Sequence, residues 1–442
     1  IVKINKPVIM RNNRFSQIRI AAVQYNPAKN KIKIFKNINL KLKLDYGKSK
    51  NKLTNRNNLI SNNFSKIVNA NILPTGKNDN ITEQKGSYLF IIPESDEVEA
   101  EITELANLKE KLGYNTQITD LGTTGQSNEQ IKAYIQNAYD NWQNPPEFVV
   151  IVGDINGDYA VPSYFVEGGQ YNPYDVTDHP YSLLDGDDYF PDVYVGRLSF
   201  QTLSQLETIV TKLINYQTNP YTDINWFQQA LMICPYLETI TSYRETIMLT
   251  REKMLDYNYT VVDTFIYPNQ AGQSLLASTI DNGYTFINFR GTGHYDCWTS
   301  YYGYYFFENE NIYQLNNGFM LPMITSMTCA GGDFAAEDDS NCFGEAWLNA
   351  GTPTIPKGAI GFIGSSEWDT QTTFNNVNDI GIYQGITNEN LHKCGEMLLR
   401  EKMELYLNYP DAHAWGGPTD SDQFYFYVYN LLGDPGLTVW TD

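Results

Sequence analysis

Two hydrophobic patterns divide the chain. Up to about residue 47, apolar residues alternate with basic or polar ones, as in Ile32, Ile34, Ile38, Leu40, Leu42 and Leu44, and residues 18–24 read the same way. A period of two predicts strands, so residues 1–47 are expected to be a β-rich piece. Residues 48–85 are rich in Asn, Lys, Ser and Thr without a period, which is linker composition. Beyond residue 85 short apolar runs take over. Residues 88–93 and 148–152 read as buried strands, with further strand signals at 193–195, 231–234, 261–267, 285–289, 323–327 and 359–363. Helical patterns fall at 97–112, which stops at Gly113, and from the Ser127 cap to about 142. Others lie near 202–217, 242–257 and 388–407. Strands alternating with helices predict an α/β fold, a mostly parallel sheet flanked by helices, in two subdomains at about 86–225 and 226–442. In such sheets chemistry gathers at the carboxyl ends of the strands.

Charge sharpens the boundary. The net −20 is a sum of unlike parts: residues 1–85 hold 18 Lys and Arg against 3 acids, a formal +15, which leaves −35 for residues 86–442. An acidic body lacks the basic footprint that nucleic acid or an anionic membrane requires, so no nucleic-acid partner is expected. No apolar run approaches the ~18 residues of a membrane span. The first residue, Ile1, is not an initiator Met, so a fragment or processed form is expected. Five cysteines, with no Cys-x-x-Cys, leave one thiol over even if two disulfides form.

The strand ends show where that thiol points. Strand 148–152 runs into Gly153-Asp154, strand 285–289 into Arg290-Gly-Thr-Gly-His294, strand 323–327 into Thr328-Cys329-Ala-Gly-Gly-Asp-Phe334, and strand 359–363 into Gly364-Ser-Ser366. A cysteine at a strand end before two glycines puts a thiol at the sheet edge, where free N–H groups can hold an oxyanion. A histidine at a neighbouring strand end can serve as its base. The competing reading is a buried structural cysteine, the commoner fate of the residue.

Several segments in order resemble one family. They are Pro146-Glu-Phe-Val-Val-Ile-Val-Gly-Asp154, Asp187-Asp-Tyr-Phe-Pro-Asp-Val-Tyr-Val-Gly-Arg197, Thr325-Ser-Met-Thr-Cys-Ala-Gly-Gly-Asp-Phe334, Cys342-Phe-Gly-Glu-Ala-Trp347, Lys357-Gly-Ala-Ile-Gly-Phe-Ile-Gly-Ser-Ser366 and Leu432-Gly-Asp-Pro-Gly436. Residues 86–442 thus resemble the gingipain family of cysteine peptidases. The resemblance implies a caspase-like fold with Cys329 as nucleophile, Asp192 as the acid orienting the catalytic histidine, and the N–H groups of Cys329 and Gly293 as the oxyanion hole. It also implies cleavage after Arg or Lys, a secreted or surface location, and a zymogen whose own N-terminal pro-segment is a partner alongside polypeptide substrates. Family members carry Gly-His-Gly after the equivalent strand. Here, counting back from Trp298, Thr292 falls where that histidine is expected and His294 lies two residues on. Either the loop is rebuilt so that His294 reaches Cys329, or the base has been lost. The second case makes the protein a binding or scaffold protein, and a surface-sorting transpeptidase of the same fold is a further alternative.

Two sets of residues complete the expectations. Asp154 and Asp158 form half a calcium loop, and Asp187 belongs to a second acidic cluster; structural calcium is plausible by resemblance, with solvated turn carboxylates as the alternative. No cofactor for catalysis is expected. If specificity is for basic residues, Lys52, Arg56, Lys77 and Lys85 are candidate activation sites, since exposed linkers are where proteases cut.

Overall fold

The computed structural model describes residues 2–43, 51–53, 59–71, 82–83, 85–169, 172–218, 224–235, 241–267, 272–300, 305–336, 341–409 and 421–441. Ten strands form one sheet: β1 Ser87–Ile92, β2 Asn115–Asp120, β3 Pro146–Val152, β4 Tyr194–Leu198, β5 Gln229–Pro235, β6 Val261–Tyr267, β7 Phe286–Arg290, β8 Met323–Met327, β9 Gly361–Ser365 and β10 Tyr429–Gly433. Their order is β2-β1-β3-β4-β10-β9-β8-β7-β5-β6. Neighbours within the first four are parallel, as are neighbours within the last five. β10 lies between the sets, antiparallel to β9. The carboxyl ends of both sets meet on one edge. There the helix Phe343–Asn349, which follows the Cys329 turn, sends Glu345 to accept from Ser199 beyond β4.

The central strands are apolar on both faces because helices cover both. β1, β3, β8 and β9 are buried at every position, as a doubly covered sheet requires. The helix Asp96–Lys111 starts on a Ser95 cap, and the helix Asn128–Asn141 on a reciprocal capping box of Ser127 with Gln130. The helical segment expected near 388–407 is Cys394–Asn408, and an unexpected helix, Thr372–Glu389, precedes it and ends at left-handed Asn390 (φ 54°). The unexpected helix has an Asn- and Gly-rich sequence with little helical signal. Tertiary packing holds it instead: a Cβ at Gly381 would come 2.6 Å from the Glu404 Cβ.

The N-terminal piece is made of short two-stranded pairings, but the alternation at Ile38, Leu40 and Leu42 forms no strand, and Leu44 lies outside the described residues. Strand Val8–Met10 is buried against the large domain, whereas Val23–Asn26 and Lys31–Ile34 are fully exposed. The stretch read as linker differs from expectation. It contains a helix, Asn62–Asn71, whose Phe64 and Ile67 are fully buried and whose Phe64 ring stacks on Tyr194 at 4.2 Å. Three apolar residues at helical spacing, Phe64, Ile67 and Val68, suffice to dock a polar segment that lacks a longer period.

Candidate active site

Cys329 lies two residues past β8, partly buried, in a turn whose next residue, Ala330, is left-handed (φ 55°). The two glycines do not free the amides that follow. Ala330 N–H donates to Glu367 O (2.8 Å), Gly331 N–H to Cys329 O (2.7 Å) and Gly332 N–H to Ser365 O (2.9 Å). Gly332 is glycine for contact: a Cβ there would sit 2.8 Å from Gly364 O. From Thr328 to Asp333 the Cys329 N–H is the one amide outside this set. The sulfur is 3.2 Å from Thr370 Oγ1. Thr370 Oγ1 accepts from Asn375 Nδ2 (2.7 Å), and Asn375 Oδ1 accepts from Tyr429 O–H (2.7 Å). Burial pushes the thiol up, whereas the Thr370 hydroxyl and N–H, and then the Arg290 charge, favour the thiolate. The other four cysteines are free and buried.

The histidine segment forms a hairpin beside this turn. Thr292–His294 pairs antiparallel with Cys297–Thr299, with Thr292 opposite Thr299 and His294 opposite Cys297. Gly293 presses on the cysteine turn so closely that a Cβ would lie 2.7 Å from Thr328 Cγ2 and 3.1 Å from Cys329 O. Gly293 and Cys329 thus lie against each other. Thr292 Oγ1 is buried without a hydrogen bond. His294 is half-exposed, its Nδ1 3.2 Å from Asp296 Oδ1 and its ring 4.8 Å from that of Trp368. Trp368 and Thr370 belong to one segment following β9, so His294 and Cys329 both border that segment.

Asp192 is not brought to His294. It precedes β4 at the amino edge of the sheet, fully buried, and its carboxylate accepts from the N–H groups of Arg11 (2.5 Å), Leu184 (2.8 Å) and Asp185 (2.6 Å). The Arg11 guanidinium bonds to Asp192 O and Pro146 O, so the N-terminal piece seals this edge. The carboxylate at the imidazole is Asp296 instead. It is two residues along the chain, a proximity legible in the sequence.

Nor are the three calcium candidates gathered. Asp154 Oδ1 accepts from Ile155 N–H and its Oδ2 from Gln201 Nε2 at the carboxyl edge, while Asp187 N–H donates to Asn51 of the N-terminal piece. Asp158 joins neither, and among the described residues no three His, Cys, Asp or Glu are placed to hold a metal. The donors thus do not fit a calcium set, and no step is routed through one. Of the candidate activation sites, Lys52 is exposed, and Lys85 is exposed with its ammonium over the Tyr114 ring. Arg56 and Lys77 lie outside the described residues.

The sequence pattern did not single out a group of acids behind Trp368. Trp368 Nε1 donates to Asp333 Oδ2 (2.8 Å), and Glu367 accepts from Gly169 N–H (2.9 Å) and Asp369 N–H (2.7 Å). Asp175 is pushed up to about 9 by burial and by Glu367 beside it, and Asp333 to about 6 chiefly by burial. Their positions in the chain are remote, and only the meeting of β9 with the 164–178 hairpin collects them.

Comparison with known proteins fits this geometry. The model of peptidase family C25 matches residues 81–440, and that of the C25 propeptide matches residues 1–73. The chain belongs to peptidase family C25. It is 24% identical over 376 residues to gingipain R1 of Porphyromonas gingivalis, covering 83% of this chain and 36% of that protein. To Lys-gingipain of the same species it is 25% identical over 376 residues, 81% of this chain and 20% of that one. The chain therefore spans well under half the length of these relatives. The crystal structure of gingipain R, an Arg-specific cysteine proteinase, superposes with a TM-score of 0.70 at 20% identity, over 81% of this chain and 79% of that one. A complex of pro- and mature domains from that species gives 0.69. The caspase-like fold and the propeptide at the N-terminus are as expected. Among the described residues no helix is long and apolar enough to cross a membrane.

Proposed function

We propose that the protein is a cysteine endopeptidase of the secreted or cell-surface kind, cutting after basic residues and made with its propeptide attached. The observation that carries it is the thiol of Cys329 at the carboxyl edge, faced by the Thr370 donor and backed by the Gly293–His294 hairpin. In this reading the Cys329 thiolate attacks the scissile carbonyl carbon. A carbon–sulfur bond forms as the carbonyl π electrons move to oxygen, where the N–H groups of Cys329 and Gly293 receive them. His294, oriented by Asp296, takes the thiol proton and returns it to the leaving amine; water then releases the acyl group. The acids around Trp368 favour a cationic side chain, and the −35 body steers basic substrates inward.

A second reading is favoured by Thr292, its hydroxyl buried at the hairpin start where the resemblance calls for histidine: a binding or scaffold protein on the same fold. Cleavage of peptides with Arg or Lys before the scissile bond, measured after a cut in the 72–81 stretch, decides between them. Wild type is expected to cleave, Cys329→Ala to fall to background, and His294→Ala to lose roughly 10²–10⁴-fold. A His294→Ala enzyme as fast as wild type defeats the base assignment. A wild type at background leaves the binding reading standing.

A further inference from the structure

Arg290 ends β7 and is fully buried. Its Nε donates to Asn376 Oδ1 (2.7 Å), its Nη1 to Gly291 O (3.2 Å) and Met327 O (2.9 Å), and its Nη2 to Thr372 O (2.8 Å). Every one of these acceptors is neutral, and the guanidinium lies 4.4 Å from the centre of the Tyr243 ring. Among the described residues no carboxylate forms an ion pair with it. A desolvated cation held only by dipoles is costly, and at low dielectric its field reaches well beyond its hydrogen bonds. The place it occupies is specific. Gly291 O opens the histidine hairpin, Met327 O precedes Cys329 by two residues, and Thr372 O and Asn376 belong to the helix that follows Thr370.

Few anions face it. Asp379, from the helix Thr372–Glu389, is fully buried and donated to by Asn288 Nδ2 (2.8 Å); burial pushes its carboxyl up to about 7, so it is a partial charge at neutral pH. Tyr243, from the helix Thr241–Asp256, and Tyr429, from β10, contribute phenols, and Arg244 adds a second cation on the Cys234 side. On the sulfur's own side lies Asp369, which opposes ionisation of the thiol. Among the described residues, the thiol of Cys329 is a further acid that faces this charge.

We propose that Arg290 is the resident counter-charge of the Cys329 thiolate, a positioning residue that acts on the sulfur together with the Thr370 donor and not through the histidine. This inference rests on Cys329 as the nucleophile. It accounts for a hairpin that holds His294 against Trp368 and Asp296 while the sulfur is met by a hydroxyl: the charge that favours the thiolate comes from below the site.

The test is the rate of Cys329 alkylation by iodoacetamide between pH 5 and 10, with Cys329→Ala as the blank and thermal melts as the check on folding. Arg290→Met is expected to move the alkylation midpoint up by about one pH unit, which slows the reaction roughly tenfold near neutral pH. Arg290→Lys, which keeps the charge but not the fork, is expected to stay near wild type. Asp379→Asn, which removes the competing anion, is expected to move the midpoint down. A folded Arg290→Met protein with the wild-type profile overturns the proposal. Should Arg290→Met not fold, an unmoved midpoint in Asp379→Asn overturns it equally. Alkylation needs no turnover, so the expected shifts in a protein that cleaves nothing would uphold Arg290 and defeat the peptidase reading. Robust cleavage with unmoved midpoints would do the reverse.

Discussion

Glu345 shows how a single side chain ties the site's scaffold to pH. It is buried, accepts from Ser199 Oγ and Cys342 N–H, and is pushed up to about 8, first by burial and then by the Asp154 charge. The folded chain therefore holds a proton that the unfolded chain, with an ordinary glutamate near 4.5, releases. Proton binding favours the fold below about 4.5, and this stabilisation is lost as pH rises through about 8. Asp379 and Asp175, raised to about 7 and about 9, act in the same direction. Wild type is expected to melt at progressively lower temperature from pH 5 to 8, with Glu345→Gln visibly flatter. Parallel curves would show Glu345 already ionised in the fold. At this scale the sequence was legible for Cys329, whose place after β8 follows from an apolar run ending in Thr-Cys-Ala-Gly-Gly. Asp192 was legible only as a carboxylate at a strand start. Its partners, the N–H groups of Arg11, Leu184 and Asp185, come from distant or looping chain that no local pattern reveals.

Elements follow the same division. The buried strands and the two capped helices after residue 85 were legible because apolar runs and caps are local signals. The Ser127 box is a direct instance: Ser127→Ala is expected to cost about 1 kcal/mol, read as a lower denaturant midpoint at unchanged slope. β2, whose sequence is Asn-Thr-Gln-Ile-Thr-Asp, is polar because it is an edge strand, and the sequence pattern passes over it. The helix Thr372–Glu389 was missed for a different reason. Its glycines exist to let the neighbouring helix approach, and such contact is invisible along one chain. Helix Asn62–Asn71 gives a second element-scale expectation. Phe64→Ala removes a ring stacked on Tyr194 and is expected to weaken propeptide attachment by about 3 kcal/mol, roughly 150-fold. The check is calorimetry on the two pieces after a cut between residues 72 and 81.

For the whole molecule, the +15 and −35 halves suggest an electrostatic clamp, with the basic piece presenting a Lys or Arg to the catalytic pocket. The contacts are of another kind. Ile9, Met10, Phe64 and Ile67 are fully buried. Ser61 and Asn63 bond to Glu147, and Arg11 bonds to Asp192 O and Pro146 O. All of this lies at the amino edge, across the sheet from Cys329, while the basic hairpin of Lys31 and Lys33 faces solvent. Exposed charge pairs are screened within about 10 Å at 0.1 M salt, whereas apolar burial and backbone bonds are not. The cut propeptide is therefore expected to stay bound on gel filtration at both 0.05 M and 1 M salt. Release at high salt would restore the charge-driven picture. The sequence by itself determined the alternation of strands and helices, the candidate nucleophile and the asymmetry of charge, because each is written in neighbouring residues. Only the tertiary structure decided that Asp296 and not Asp192 meets His294, that Thr370 and Arg290 attend the sulfur, and that the propeptide grips the far edge. Asp192 is taken up by Arg11 from the far end of the chain, and the sulfur's neighbours come from separate strand ends that only sheet order brings to one edge.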